Sequence, residues 1–285
     1  MSGFNKKTAS WALAAVAAAT VGVLAYQVYQ REHARTLARE ARIAEVRADK
    51  AEFERRCKEV AGYKFYRRAE NVEGILLPKI RHSGDWRDRM APGAAFALEG
   101  YDSVYITSFL EYRYPSSGVN DESYFTNTQK MKDAIPGFQY VDVIDEQDEK
   151  RYRYTPRWEE PWQYDKSYLK GYIKFFLDRS PQPSSEPAPR YSVTFEDHVV
   201  PAERARGLAS STVRVLDTQT GEVMAEMLRY AWTPGRASSE NPTPWLTAYK
   251  CPGPGHGSDS ATRQFVDRVL VPPGATAPPK PKYTH

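Results

Sequence analysis

Apolar residues recur at every second position through most of the chain after the first 61 residues, which is the pattern of half-buried β-strands. In RYSVTFED, Tyr191, Val193 and Phe195 share one parity, and polar or charged residues separate them. The same alternation in VYITSFLEYRY predicts a strand over 104–114. Other strand candidates are YKFYR, GILLPKIR, YVDVID and GYIKFFLD. Together with the hairpin described next, these runs predict an antiparallel sheet of about six to eight strands.

The clearest local unit is STVRVLDTQTGEVMAEMLRYAW, in which two strand-like runs flank DTQTGE. Gly221 lies in the connection and can adopt the positive φ that a short hairpin loop requires. We therefore predict a β-hairpin that turns at Gly221.

The N-terminal region has a different pattern. No charged residue occurs from Trp11 to Tyr29, and a helix of about 19 residues spans roughly 28 Å, close to the hydrocarbon thickness of a bilayer. Aromatic residues flank this segment at both ends, as they do at membrane interfaces. We predict a short tail over 1–10 and a transmembrane helix over 11–29 that binds the lipid bilayer. A signal peptide cleaved near Ala25 fits the same pattern.

Helical character continues over 30–61, because neither Pro nor Gly occurs between Gln27 and Val60. Small residues and bulkier apolar residues form two seams at heptad spacing. These seams are typical of a coiled-coil stalk, which would join chains into a homo-oligomer. The alternative is a monomeric helix whose later turns pack on the following domain. The pattern leaves both open.

A last helix is predicted near the C-terminus, where Phe265, Val266, Val269 and Leu270 form one apolar face. Two prolines end this helix, and we expect 272–285 to be a disordered Pro-rich tail.

The predicted fold class is α+β: an N-terminal transmembrane helix continuing into a helical stalk, an antiparallel sheet, and a C-terminal helix. The folded domain is expected over 62–271. A hydrophobic content of 41% with 27% charged residues is typical of a globular protein and excludes general disorder.

Charged residues near the apolar segment give conflicting indications of membrane orientation. Lys6 and Lys7 favour a cytoplasmic N-terminus, whereas five arginines soon after the segment favour the opposite orientation. Cys57 and Cys251 form no CxxC pair, and we predict a disulfide between them, which requires an oxidising compartment. We therefore predict a single-pass inner-membrane protein with most of the chain in the periplasm. The alternatives are secretion into the periplasm after cleavage and a cytoplasm-facing domain on a reversed anchor.

Composition and motifs limit the chemistry. A net charge of +4 is too weak to indicate a nucleic-acid partner. The five histidines have no metal-binding spacing, so we predict neither a metal nor a cofactor. His198 and His256 lie near acidic residues but in no GxSxG motif. An envelope hydrolase built from dispersed residues stays an alternative, and no catalytic residue is assigned.

The segment RYRYTPRWEEPWQYDKSYLKGY, residues 151–172, interleaves basic and aromatic residues. Tryptophan and tyrosine rings with nearby arginines are typical of surfaces that bind sugars or proteins. The candidate surface, for an envelope protein or a glycan, comprises Arg153, Arg157, Trp158, Trp162 and Tyr164. In the alternative interpretation the rings pack inward and the arginine stems cover their edges.

A short tail, one span, a helical stalk and a compact domain form a layout shared by many bacterial envelope proteins. Because no coherent catalytic constellation is present in the sequence, it favours a membrane-anchored, periplasm-facing binding or structural module of the bacterial cell envelope.

Overall fold

The structure is a computed structural model that describes residues 6–82, 88, 90–115, 124–128, 130, 133–159, 174–234, 243–252 and 261–276. Of residues 6–16, 115, 124 and 125, only the backbone is described. The chain divides into two compact units, residues 1–51 and 52–285.

Helix α1 extends over Lys6–Glu59, so the predicted helical character of 30–61 holds as far as Glu59. In the described part of the chain, no helix contains a stretch that is long and apolar enough to cross a membrane. The predicted transmembrane helix over 11–29 is therefore not supported. Its first six residues lie outside the described side chains, and alanine, threonine and glycine lower the hydropathy of the rest.

Among the described residues, the main sheet has nine strands in the order β1-β10-β9-β8-β2-β5-β6-β7, with β11 also pairing with β10. Its strands are β1 (Gly62–Phe65), β2 (Gly74–Leu77), β5 (Tyr140–Ile144), β6 (Arg151–Glu159), β7 (Lys174–Pro181), β8 (Tyr191–His198), β9 (Leu208–Asp217), β10 (Val223–Trp232) and β11 (Tyr249–Cys251). A separate two-stranded sheet comprises β3 (Tyr112–Pro115) and β4 (Tyr124–Asn127).

The remaining elements are short helices. They are α2 (Ser103–Leu110), α3 (Pro201–Ala205), α4 (Ala261–Val266) and two 3-10 helices, Ala97–Glu99 and Pro244–Thr247. The fold is therefore α+β with a large sheet and an N-terminal helix, as the sequence predicts.

The sheet is mixed rather than antiparallel, which corrects the prediction of six to eight antiparallel strands. Strand β2 lies between β8 and β5 and runs parallel to both, whereas the other strand pairs are antiparallel. A parallel pair requires a long connection. Between β2 and β5 this connection carries α2, β3 and β4.

The hydrophobic core lies on one face of the main sheet, where α2 and α4 contribute to one apolar cluster with the strands. Phe265 of α4 stacks on Tyr63 of β1, and Tyr105 of α2 meets Phe195 of β8 edge to face. The predicted last helix forms, but it ends at Val266 rather than at the two prolines, so Val269 and Leu270 lie beyond it. Phe265, Val266, Val269 and Leu270 are nevertheless all fully buried, as expected of one apolar face.

The prediction of a strand over 104–114 is wrong for its first half, which forms helix α2. Buried residues of this helix are Tyr105, Ile106, Phe109 and Leu110, whose spacing fits one helical face, whereas Val104 is 51% exposed. Only the end of the segment, β3, is a strand.

Two local predictions are confirmed. Strands β9 and β10 form the predicted hairpin, and Gly221 adopts a φ of 74° in its turn. A disulfide joins Cys57, near the end of α1, to Cys251 in β11, with a Cα–Cα distance of 5.7 Å. Next to it, Phe53 stacks on Trp232 at a centroid distance of 6.1 Å.

Candidate interaction surface and buried charges

Strands β6 and β7 form a two-stranded ribbon at one edge of the main sheet, called the β6–β7 ribbon below. The two strands pair from Tyr152 with Pro181 to Glu159 with Lys174. Every residue of β6 and β7 is half-buried or exposed, whereas β9 and β10 are mostly buried. The ribbon therefore presents side chains to solvent on both of its faces.

Arginine side chains of the ribbon are paired with carboxylates and lie over aromatic rings. Arg153 donates to Asp142 through two nitrogens at 2.7 and 3.1 Å, and its guanidinium lies 3.8 Å from the centre of the Tyr140 ring. Arg157 binds Asp178 in the same way at 2.7 and 3.2 Å. The hydrogen bond from Arg157 lowers the pKa of the Asp178 carboxyl. These arginines therefore stiffen a ribbon whose charges are largely neutralised.

Trp158 is half-buried and packed within the protein. Its Nε1 donates to the backbone carbonyl of Thr128, and its ring lies 5.3 Å from Tyr112 and 5.6 Å from Phe175. Since successive strand residues point to opposite faces, Trp158 lies on the face opposite Arg153 and Arg157. The structure thus places these three candidate residues on one ribbon but on two faces. Trp162 and Tyr164 lie outside the described residues.

A second cluster of polar residues lies inside the protein, at one end of the core face. Asp197 of β8, Ser211 of β9 and Arg229 of β10 are direct cross-strand neighbours and form one row. Because paired residues of neighbouring strands share a face, this row belongs to the same face as the apolar core.

Ion pairs link this row to two further residues. Arg81, which follows β2, donates to Asp197 at 3.0 and 3.2 Å, and its Nε lies 3.5 Å from a Glu99 oxygen. Arg229 forms the next ion pair with Glu99. Thr262 of α4 also donates to Glu99, through its hydroxyl at 2.8 Å and its N–H at 3.2 Å. We call Asp197, Arg81, Glu99 and Arg229 the buried ion cluster, since each side chain is at most 5% exposed.

Two groups at the buried ion cluster, Glu99 and the neighbouring Tyr105, have pKa values moved away from neutral pH. Burial alone would raise the pKa of Glu99, but the charges of Arg229 and Arg81 outweigh burial and lower the pKa. Burial raises the pKa of the nearby Tyr105 hydroxyl, which stays protonated. A general acid or base must exchange a proton near neutral pH. Glu99 and Tyr105 therefore do not suit this role, and the ion pairs of the cluster join β8, β10 and the segments of Arg81 and Glu99.

Sequence reasoning missed the buried ion cluster, although the alternation contained a signal for it. Asp197 continues the parity of Val193 and Phe195, and Arg229 continues that of Met227. A charged residue at a core-facing strand position indicates a buried ion pair.

His82 connects three surface elements. Its Nδ1 lies 3.3 Å from Asp102, at the start of α2, and its Nε2 lies 3.2 Å from Glu146, in the β5–β6 connection. Burial of the ring alone would lower the pKa of His82, but the two carboxylates outweigh burial and raise it. The two carboxylates therefore favour the protonated form of the His82 ring.

We expect the His82 pair of contacts to make stability depend on pH. A raised pKa in the folded state stabilises the fold below the unfolded value of about 6.5, and this contribution is lost as pH rises through the folded value. His82→Gln should flatten the decline in the free energy of unfolding as the pH rises above about 6.5. Urea titrations at several pH values measure this decline. His198→Gln is the matched control, because His198 faces Thr212 at 2.8 Å rather than a carboxylate. Identical pH profiles for His82→Gln and the wild type would contradict the assignment.

In the described part of the chain, no catalytic arrangement forms around the histidines considered for a dispersed hydrolase site. His198 Nε2 faces the Thr212 hydroxyl, and His256 lies outside the described residues. A surface groove of about 830 Å³ lies between the β5–β6 connection and residues 181–188. At its floor Arg151 donates to the Glu186 carbonyl at 2.6 Å, and the described lining contains no histidine.

Comparison with known proteins assigns no family to this arrangement: no protein family, no curated protein and no solved structure shows significant similarity to the chain.

Proposed function

We propose that this protein is a non-catalytic binding module of an oxidising compartment outside the cytoplasm, where it contacts a protein partner through the β6–β7 ribbon. The observation that carries the proposal is the disulfide between Cys57 and Cys251, which uses both cysteines of the sequence. Disulfides persist in the periplasm and in secreted proteins, whereas the cytosol keeps thiols reduced.

The exposed apolar side chains of α1 support export. Val21, Val23, Leu24 and Val28 are each more than half exposed. A contiguous apolar surface of this kind is typical of a segment that enters a membrane or is removed during secretion. Cleavage near Ala25 and retention in the inner membrane place Cys57 in the same compartment. The arginines that follow the segment favour the reversed orientation, but a cytoplasmic domain would keep both thiols reduced.

The β6–β7 ribbon supports a role in binding. Its half-buried rings include Tyr152 and Phe176, whereas Trp158 and Phe175 pack on each other and Tyr154 packs against the core. Aromatic residues and arginine are enriched at protein interfaces, where rings supply area and arginines supply directed hydrogen bonds. Because the ribbon's arginines already bind carboxylates, a partner polypeptide fits this surface better than a strongly acidic ligand.

The compartment is tested by trapping thiols in intact cells. Cells that express the full chain are quenched with acid, and free thiols are labelled with a maleimide that adds mass. We expect no label on the wild type without prior reduction and one label on Cys57→Ser, since that substitution frees Cys251. Labelling of both wild-type thiols would overturn the proposed compartment. Sequencing the N-terminus of the purified chain distinguishes cleavage near Ala25 from retention.

The same cells test the ribbon. A photoreactive phenylalanine analogue replaces Phe176, and in a control chain it replaces Tyr66, which is 63% exposed and lies outside the ribbon. We expect illumination to yield a defined crosslinked product from position 176 and none from position 66. Absence of a product from position 176 would reject the ribbon as the binding surface.

A further inference from the structure

The outer edge of β7 is the basis of a more specific inference about the partner. Within the ranges that the structure describes, β7 pairs with β6 and has no strand on its other side. The strand KFFLDRSP is eight residues long, and an unpaired edge of this length can accept another strand. Edge strands are often protected by charges, so the charges of β7 decide what can pair with it.

We propose that β7 pairs with β7 of a second copy of this chain, antiparallel and centred on Phe176. This inference depends on the proposed function in one respect, the choice of the ribbon as the interaction surface. It identifies the partner as a second copy.

Strand geometry limits the possible registers of a two-fold pair. Residues directly opposite each other in an antiparallel pair point to the same face. A symmetric pair must therefore be centred on a residue, because a centre between two residues would set opposite faces against each other. A centre at Asp178 places like charges opposite each other, and it also places Pro181, which has no N–H, within the pair. A centre at Leu177 sets Lys174 opposite Ser180 and leaves its charge unmatched.

The register centred on Phe176 matches the charges. It places Lys174 of each copy opposite Asp178 of the other, and Phe175 opposite Leu177. Lys174 is exposed, and the Asp178 side chain is 48% exposed, so both charges can reach a partner. Asp178 also binds Arg157, but a carboxylate has about four acceptor sites and can accept from a lysine as well.

Phe176 fits the centre of such a pair. Its ring is half-buried on the face that carries the charges, with Lys174 and Arg157 each 4.7 Å from the ring centre. In the two-fold pair the two Phe176 rings face each other, flanked by the two Lys174–Asp178 pairs. Charges that only protect an edge strand repel the same strand of a second copy. Lys174 and Asp178 instead attract a second copy in the register centred on Phe176.

The test exchanges charges between copies. Full-length chains carry a donor or an acceptor dye on a C-terminal tag, and energy transfer is followed against concentration. We expect the wild type to associate. Lys174→Glu and Asp178→Lys should each weaken self-association by about 10-fold or more, because two attractive pairs become repulsive. Lys150→Glu is the control, since Lys150 is an exposed lysine outside β7.

Mixing the two charge variants provides the decisive measurement. A mixed pair restores opposite charges at both positions, so Lys174→Glu and Asp178→Lys should associate with each other to within about 3-fold of the wild type. A variant that merely folds poorly would not be rescued by mixing. Failure of the mixture to associate, or wild-type association that neither substitution changes, would overturn the inference, and the latter result would favour association through 30–61.

The outcomes also separate this inference from the proposed function. A chain that stays monomeric but crosslinks to a different protein from position 176 overturns the pairing of β7 and leaves the proposed function standing. A crosslinked product of twice the chain mass supports both.

Discussion

Replacing Glu99 by glutamine is expected to lower the free energy of unfolding by about 3–5 kcal/mol, because it breaks a buried ion pair and leaves its partner charged. Glu99 accepts contacts from Arg81, Arg229 and Thr262, and its side chain is 2% exposed. Glutamine keeps the shape but removes the charge. Arg81 would keep Asp197, whereas Arg229 would lose its carboxylate partner, so one buried positive charge would be uncompensated.

Urea denaturation with the disulfide intact measures this loss. The matched control is Glu196→Gln, because Glu196 is 59% exposed and binds Arg214 at 3.0 Å. An exposed pair of this kind contributes about 0–1 kcal/mol, so the control should stay close to the wild type. Equal effects at positions 99 and 196 would show that the buried ion cluster does not hold the fold together.

A double substitution separates lost charge balance from lost packing. Glu99→Met with Arg229→Met removes one charge of each sign and leaves the Arg81–Asp197 pair neutral. Replacing a buried ion pair by apolar residues of similar volume is often neutral. The double variant should therefore be more stable than Glu99→Gln alone, which is a non-additive result expected only for residues in contact.

Local patterns predict the parts of this fold that depend on neighbouring residues. The hairpin at Gly221 is predictable because two alternating runs and a positive-φ glycine occur within one short sequence. The presence of a last helix is predictable in the same way from its apolar spacing, although its end at Val266 is not. The disulfide is predictable because only two cysteines occur, although their proximity is a property of the whole fold.

Segment 104–114 shows where a local pattern is ambiguous. Val104, Ile106 and Leu110 share the parity of a strand, yet Tyr105, Ile106 and Phe109 also share one helical face. The helix forms because it buries Tyr105 and Phe109 in the core, and packing of this kind depends on strands that are distant in sequence.

Long-range order could not be predicted from the pattern. Strand β2 lies between β5, which begins more than 60 residues later, and β8, which begins more than 100 residues later. The alternation of apolar and polar residues does not indicate which strands are neighbours in the sheet. Buried arginines were missed for a related reason, since a charged residue in a sequence is normally solvated. Arg81 and Arg229 are buried because carboxylates distant in sequence pair with them. Arg263 is buried because Asp267, four residues along the chain, and the distant Ser108 carbonyl accept its hydrogen bonds.

The ribbon was found from composition, but its geometry was not. The interleaved basic and aromatic residues of 151–172 predicted a surface that binds a protein or a glycan. The alternation within β6 separates Trp158 from Arg153 and Arg157, so a single patch of all three is excluded. Asp142 and Asp178 accept the hydrogen bonds of Arg153 and Arg157 from the neighbouring strands β5 and β7. Neither aspartate belongs to residues 151–172, so the composition of that segment did not indicate them.

Reducing the disulfide between Cys57 and Cys251 is expected to lower the free energy of unfolding by about 2–5 kcal/mol. The bond closes a loop between residues 194 positions apart, and in the chain-entropy model a long loop restricts the unfolded chain most. The ends that it joins are weakly held otherwise. Strand β11 has three residue pairs with β10, and the last turns of α1 pack through contacts such as Phe53 on Trp232.

Urea titrations with and without reductant measure the change. The variant Cys57→Ser/Cys251→Ser should have the free energy of unfolding of the reduced wild type, and the reductant should not alter it. The dependence on urea concentration should also steepen on reduction, because an unfolded chain without the crosslink exposes more surface. This second signature separates two mechanisms. A loss of stability with an unchanged slope would mean that the bond acts in the folded state, by holding β11 and the end of α1 together. A loss below about 1 kcal/mol would mean that packing alone keeps Cys57 beside Cys251, and the bond would then report the compartment without stabilising the fold.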